Sequence, residues 1–353
     1  VAEGIGLYIH IPFCLAKCGY CGFASSPGLP GPEFRQALKN EIRLLSPGRI
    51  RTLHAGGGTP TLMGTAFWRE LLASLDLSHC IEAAVETNPA VLGEEGYAEL
   101  GKAGFDRISI GVQSFSEDNL RWLGRVHTSR QAEEAVESAK AGGFKNISID
   151  LIYGLPGQNM ENWSFDLEKA LQLETDHISC YELTLEPGTR IGDAGSRAIE
   201  SLSADMFMKT HDTLTGAGFH HYEVSNYARP GQESKHNQAY WERRPYHGAG
   251  PSAHGFTGTE RYWNTPDTGL YIEQVNRGNL PRSGNEFITP AQAVREEIML
   301  GLRTSRGVRT AILPEKTVNR LIEAGRLKRN GETVSPTPEG MLWADGMACE
   351  LTG

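Results

Sequence analysis

The chain has 353 residues, 39% of them hydrophobic, with 43 acidic against 34 basic side chains and a net charge of −9. Its 41 glycines and 18 prolines stay below the roughly 25–30% that marks low-complexity chains, and no run approaches the roughly 18 uncharged apolar residues of a bilayer span. The acidic balance argues against a general nucleic-acid binder, and Val1-Ala2-Glu3-Gly4 offers neither the basic flank nor the apolar stretch of a secretory signal.

In chain order, short β-branched runs alternate with longer segments of helical period. Leu7–Ile11 reads as a first strand running into Pro12-Phe13-Cys14, with a helix predicted over Pro32–Leu45. A second strand, Arg51–Ala55, leads into Gly56-Gly57-Gly58-Thr59-Pro60 and a helix over Ala66–Leu75. Third and fourth strands are predicted at Ile81–Glu86 and Arg107–Gly111, ending in Glu86-Thr87-Asn88-Pro89 and Gly111-Val112-Gln113-Ser114. After a helix over Ser129–Ala141, a fifth strand, Asn146–Ile152, carries Asp150 into Gly154-Leu155-Pro156-Gly157. A helix over Asn162–Leu173 precedes the sixth strand, His177–Leu183, which leads to Thr184 and Glu186. Strands alternating with helices of this size predict a parallel α/β sheet, and six units suit a partial (β/α)6 barrel better than a closed eight-unit one.

Ser203–Thr215 reads as a further covering helix. From about Phe219 to Asn264 aromatic, glycine and histidine residues crowd together without a clear period, and from about Thr289 short helices are predicted around the turn Arg329-Asn330-Gly331. The expected organisation is a barrel domain over 1–218, an aromatic and histidine-rich extension over 219–284 closing the barrel side, and a small, mostly helical domain over 285–353.

Six cysteines stand at Cys14, Cys18, Cys21, Cys80, Cys180 and Cys349. Without a secretory signal a disulfide framework is not expected. The first three are separated by three and then two residues, so their thiolates can converge from one loop. Three thiolates leave a structural zinc one ligand short; a [4Fe–4S] cluster on three cysteines keeps one iron open. Zinc completed by a distant cysteine or by His10 stays open on spacing alone. The other cysteines read as small buried hydrophobes.

Glycine, proline and polar groups collect at the carboxyl ends of all six predicted strands, where α/β barrels place their sites. Turn chemistry accounts for the glycines. It does not account for Glu86, Gln113 and Asp150, each of which would cost several kcal/mol if buried unpaired. An internal polar ligand is the economical reading.

These residues carry a resemblance. Cys14-x-x-x-Cys18-x-Tyr20-Cys21, preceded by Tyr8-Ile9-His10-Ile11-Pro12-Phe13, resembles the cluster loop of radical S-adenosylmethionine (SAM) proteins, and the likeness runs through the whole chain. It is similar to the branch around oxygen-independent coproporphyrinogen III oxidase, and within it to the HemW-type haem chaperones. The resemblance implies that Cys14, Cys18 and Cys21 hold a [4Fe–4S] cluster whose open iron binds the methionine part of SAM. It implies further that Tyr8 and Tyr20 flank SAM, that Gly57, Gly58 and Thr59 form the turn against its methionine, and that Glu86, Gln113, Arg125 and Asp150 complete a polar ring. Thr184 aligns with a backbone contact to SAM. In physical terms Gly57 and Gly58 are expected to let the backbone approach the ligand. No Gly-Lys-Ser/Thr follows them, which disfavours a phosphate loop. Arg125, near a helix end, has a surface or ion-pair role as its alternative.

Two features separate the branches. The oxidases resembled carry a fourth cysteine two residues after the third, where this chain has Phe23, and a longer N-terminal extension; both differences count against decarboxylation of coproporphyrinogen. His236-Asn237-Gln238-Ala239-Tyr240-Trp241 matches the His-Asn-x-x-Tyr-Trp signature of the chaperone branch. An imidazole is a common axial ligand of haem iron and aromatic faces stack on a macrocycle, so His236, Asn237, Tyr240 and Trp241 are the expected haem contacts. The alternatives are that Tyr240 and Trp241 are core residues with His236 bonded internally, or that His220, His221, His247 or His254 ligates the iron. A radical SAM enzyme acting on a porphyrinogen, or a related methyltransferase, is the rival function. Gly19 and Gly22 depart from the proline and aspartate usual in the family's loop. The resemblance also implies a cytoplasmic protein with a haem acceptor, a flavodoxin- or ferredoxin-type reductant and occasional peripheral membrane contact.

Overall fold

The computed structural model describes residues 4–195 and 200–353, so Val1-Ala2-Glu3 lies outside the described residues. All six predicted strands are present, as Ile5–Ile11, Ile50–Gly57, Glu82–Thr87, Arg107–Gln113, Asn146–Tyr153 and His177–Glu182. They pair in sequence order, each parallel to the last, which gives the partial α/β barrel expected.

The register explains why these residues form these strands. Leu7 pairs with Leu53, Leu53 with Ala83, Ile108 with Ile147 and Ile149 with Ile178, so one face of every strand is apolar. That face packs under amphipathic helices; Phe34, Ala37, Leu38 and Ile42 of Pro32–Leu45 are buried there. Helices Ser129–Ala141 and Met160–Gln172 begin with reciprocal capping boxes, Thr128 with Gln131 and Asn159 with Asn162, each satisfying two otherwise orphaned backbone groups. Helices Glu94–Ala103 and Glu117–Leu123 are absent from the sequence reading; the first fills the crossover between the third and fourth strands, and the second precedes Ser129–Ala141 in the next one. The first contains Gly96 and Gly101, which weaken helical propensity and mask its period.

The opposite faces of the strands are polar and line the barrel. At the amino-terminal ends lie Thr52, Glu82, Arg107, Asn146 and His177, all buried. They are covered from below by residues 232–241. Arg107 and Asn146 donate to Gln232 O at 3.2 and 2.8 Å. Glu82 accepts from the backbone N–H groups of Lys235 and His236, both at 2.8 Å. This is the barrel floor.

The extension departs from expectation in a useful way. It adds strands to both edges of the sheet, making twelve in all. Tyr246–Ala249 pairs parallel with the first strand and continues as an antiparallel meander of His254–Phe256, Glu260–Asn264 and Arg282–Phe287. On the far edge Asn226–Ala228 and His220–Glu223 pair antiparallel beyond the sixth strand. Glu41, buried in the first helix, ties the extension down by accepting from Gly250 N, Asn264 Nδ2 and Tyr271 Oη at 2.7, 2.6 and 2.5 Å. Burial pushes its carboxyl up to about 7.

The C-terminal segment has its own small core around Ile298, Leu302, Val318, Leu321 and Met347. Its turn Arg329-Asn330-Gly331 joins two antiparallel strands, Leu327–Asn330 and Thr333–Pro336, and not two helices as the sequence suggested. A tight turn with Gly331 at φ 62° is hairpin chemistry. This segment is stitched to the far sheet edge: Val224 N donates to Arg303 O at 2.8 Å and Ser305 N to Tyr222 O at 3.0 Å. No helix among the described residues is long and apolar enough to cross a membrane.

Candidate functional site

The first strand ends at Ile11, and the chain then makes the loop that carries Cys14, Cys18 and Cys21. Its two ends are held together: Ser26 N donates to Pro12 O and Gly28 N to Cys14 O, both at 2.9 Å, while Lys17 Nζ donates to Phe23 O at 2.6 Å. Gly22 has a steric reason, and Gly19 lies under a movable side chain. A Cβ on Gly19 would lie 2.4 Å from the Arg190 guanidinium, and one on Gly22 would lie 2.8 Å from Glu186 Cγ. The segment after the sixth strand therefore presses on this loop, and Ile191 N donates to Gly19 O at 2.8 Å.

The three thiols line a cavity of about 490 Å³ at the carboxyl ends of the strands. Tyr20, Gly57, Gly58, Glu86, Gln113, Arg125, Asp150 and Thr184 line the same cavity, so the structure brings together eight of the ten residues expected at SAM. Tyr8 and Thr59 are placed differently. Tyr8 lies deeper, its hydroxyl 2.9 Å from His10 Nδ1 and its ring stacked on His54. Thr59 is fully buried behind the cysteines; its hydroxyl donates to Cys14 Sγ at 3.6 Å and accepts from Asn88 Nδ2 at 2.8 Å.

The glycine turn also differs from expectation. A Cβ on Gly57, which has φ 103°, would fall 2.6 Å from the His10 ring, and one on Gly58 would fall 2.5 Å from Phe13 O. These glycines are required by the chain's own packing, and both also line the cavity. Gly111 is closed in by Gln113, Asn88 and Arg125, with a Cβ there 2.9 Å from Gln113 Nε2.

Electrostatics separate the lining groups. Arg125 is half-buried and donates through Nη1 to Cys18 Sγ at 3.3 Å and through Nη2 to Gly111 O at 2.6 Å and to Asn88. It is not a surface residue, and its bond to Cys18 leaves the ion-pair alternative open. Its Nε is buried without a polypeptide partner. Burial pushes the Asp150 carboxyl up to about 6, with the Glu86 charge adding to the rise and a Ser179 hydrogen bond opposing it. Gln113 takes φ 73°, a left-handed conformation costly for a residue with a Cβ and typical of functional sites.

The three thiols line one cavity with the Arg125 guanidinium, a setting that suits an anionic iron–sulfur centre. The groups weighed for closing a zinc site are not at hand. His10 has its ring nitrogens engaged by Tyr8 Oη and Ala24 O, the latter at 2.8 Å. Cys80 donates to Glu82 O, Cys180 is buried in the sixth strand and Cys349 is exposed on the last helix. Phe23, where the oxidases resembled have a fourth cysteine, is 66% exposed.

His54 is the residue that sequence reasoning missed. Its Nε2 lies 2.9 Å from Glu86 Oε1, while Gly57 N donates to Glu86 Oε2 at 3.2 Å, so the carboxylate is fixed from two sides. The alternation of the second strand places His54 inward, two residues before Gly56, and this period was the available signal. Glu86→Ala is expected to weaken SAM binding about tenfold or more while leaving the cluster in place, since a hydrogen bond to a charged group is worth about 1.5–3 kcal/mol. His54→Ala should reproduce part of that loss and His54→Gln should recover it; equilibrium dialysis with labelled SAM reads both.

The chaperone-like signature falls elsewhere. His236, Asn237, Tyr240 and Trp241 lie on the helix Lys235–Trp241, capped by Ser234. This helix closes the barrel floor, at the opposite end of the strands from the cysteines. His236 is 1% exposed; its Nδ1 lies 2.9 Å from Thr52 Oγ1 and its Nε2 2.8 Å from Tyr240 Oη. Burial holds it well below the usual histidine range, so it is neutral. As folded, its imidazole offers no nitrogen to iron, and the internally bonded alternative describes its geometry. His236 stacks at 5.3 Å on His54, below the cavity that holds the cysteines. Trp241 faces a separate groove between this helix and the C-terminal domain.

With this geometry in view, comparison with known proteins is decisive. The Radical SAM superfamily description matches residues 8–170, and that of the HemN C-terminal domain matches residues 288–343. The chain is 38% identical to the heme chaperone HemW of Lactococcus lactis over 312 residues, 85% of this chain and 82% of that one. It is 33% identical to the heme chaperone HemW of Mycobacterium tuberculosis over 99% of this chain and 95% of that one. The chain belongs to the HemW-type haem chaperones of the radical SAM superfamily. Among solved structures it resembles coproporphyrinogen III oxidase (HemN) from Escherichia coli, with a TM-score of 0.85, 22% identity, and coverage of 98% of this chain and 89% of that one. That likeness concerns the fold and carries no activity.

Proposed function

We propose that this HemW-type chain carries a [4Fe–4S] cluster on Cys14, Cys18 and Cys21, binds SAM at the cluster's open iron, and takes up haem for delivery to an acceptor protein in the cytoplasm. The observation that supports the cluster and SAM is the single cavity shared by the three thiols and the ring of Glu86, Gln113, Arg125 and Asp150. Haem uptake is carried over from the relatives named heme chaperones. When bound, the cluster and SAM supply one-electron chemistry, for which a flavodoxin- or ferredoxin-type protein would be the reductant.

The residues of this chain have definable tasks. Glu86, immobilised by His54 and Gly57 N, accepts hydrogen bonds from the ligand. Arg125 screens negative charge at Cys18. Asp150, whose carboxyl titrates near 6, can hold a proton inside the barrel at mildly acidic pH and release it at neutral pH. The floor seals the lower end, so ligands enter from the carboxyl side.

The test is anaerobic reconstitution followed by haem titration, with and without SAM, and then mixing with an apo-haemoprotein. Saturable uptake and transfer of the Soret band to the acceptor are expected. Absence of saturable haem uptake would falsify the carrier reading and leave a radical SAM enzyme of another substrate.

A further inference from the structure

Resting on the haem-carrier reading, a search of the imidazoles narrows where the iron can be held. The chain has 11 histidines. His10, His127, His177, His221 and His236 are buried. His54 is engaged by Glu86, His211 by His221, and His247 by Tyr262. His79, His220 and His254 are exposed, and of these three His220 lines one of the described cavities, a groove of about 730 Å³.

That groove has the parts a metalloporphyrin requires. His220 Nδ1 lies 3.5 Å from Glu233 Oε1, and its Nε2 meets the Ser305 hydroxyl at 3.3 Å. A carboxylate behind the imidazole orients the ring, and a hydroxyl in front can rotate away. Trp241, the last residue of the signature helix, supplies an aromatic wall. The rim carries Arg243, Arg244, Arg306 and Arg309, paired with Glu296, Glu242 and Glu297. Arg306 pairs with Glu242 and Arg309 with Glu297 at 2.9 Å, yet both guanidinium groups are largely exposed. They can exchange these carboxylates for the two propionates of a haem at little cost, because exposed ion pairs are weak. The volume lies within the range of small-molecule sites, and the open, polar rim suits a ligand that must be handed on.

We propose that haem seats in this groove, with His220 Nε2 as iron ligand, Trp241 against the macrocycle, and Arg306 and Arg309 on the propionates. The signature would then serve haem through Trp241, while His236 fixes the helix that presents it.

The experiment is haem titration of the reconstituted protein, followed by Soret absorbance and resonance Raman. His220→Ala is expected to lose the native Soret position and to bind haem about ten- to a hundredfold more weakly, in keeping with the loss of a ligand-shell group. Glu233→Gln should keep binding but shift the iron–histidine stretch. The Arg306→Ala/Arg309→Ala double variant should bind more weakly with an unchanged spectrum. His254→Ala should behave as wild type. Wild-type affinity and spectrum in His220→Ala overturn the site, as does a lost Soret band in a folded His236→Gln variant. If the wild-type protein binds no haem, the carrier reading itself fails.

Discussion

Replacing any one of Cys14, Cys18 or Cys21 with alanine is expected to abolish cluster assembly, the largest functional effect foreseen for a single substitution. Three protein thiolates are already one short of the usual set. Two thiolates plus solvent cannot enforce the geometry, and the exposed loop offers no replacement: Cys80, Cys180 and Cys349 lie on other elements. The Arg125 guanidinium, 3.3 Å from Cys18 Sγ, keeps its bonds to Asn88 and Gly111 O in Cys18→Ala, so the expected loss is in the cluster and not in the fold. Iron and sulfide analysis after anaerobic reconstitution is the measurement, and a full complement of either in any variant would remove the cluster assignment.

Glu82→Ala is expected to be the most destabilising change at the floor. The carboxylate is 5% exposed and accepts from Lys235 N and His236 N at 2.8 Å and from Ser234 Oγ at 3.3 Å. Without it, two backbone donors are left in a buried space, at about 1–3 kcal/mol each. A loss of about 2–5 kcal/mol in urea unfolding is therefore expected, whereas Glu82→Gln, which keeps an acceptor, should lose less. An unchanged midpoint in Glu82→Ala would mean that the helix Lys235–Trp241 is held by its other contacts.

The barrel was legible in the sequence because its strands are β-branched runs long enough to show themselves, and because glycine and polar residues mark their carboxyl ends. The candidate cavity was legible for the same reason, with Glu86, Gln113 and Asp150 standing out as polar groups in apolar strands. His54 escaped because it contributes through Glu86 and belongs to no turn. The edge strands escaped because they are short and rich in histidine, tyrosine and glycine, as in Tyr246–Ala249, so no alternation develops. The sequence left two readings of His236 open for a physical reason: an imidazole capable of ligating iron is also capable of bonding Thr52 and Tyr240, and the structure shows the second arrangement.

The two margins of the twelve-stranded sheet are guarded by unlike means. Arg282–Phe287, at one margin, is largely exposed and carries Arg282 and Glu286, charges that discourage another chain from adding itself there. The other margin, His220–Glu223, relies on the C-terminal segment, whose residues 303–305 take up its neighbouring backbone groups. A chain cut near residue 288 would keep the whole barrel and still be a poor solution protein, because it would present an unprotected ribbon ready to template its own kind. The appended segment thus shields an edge of its own barrel, independent of any cargo.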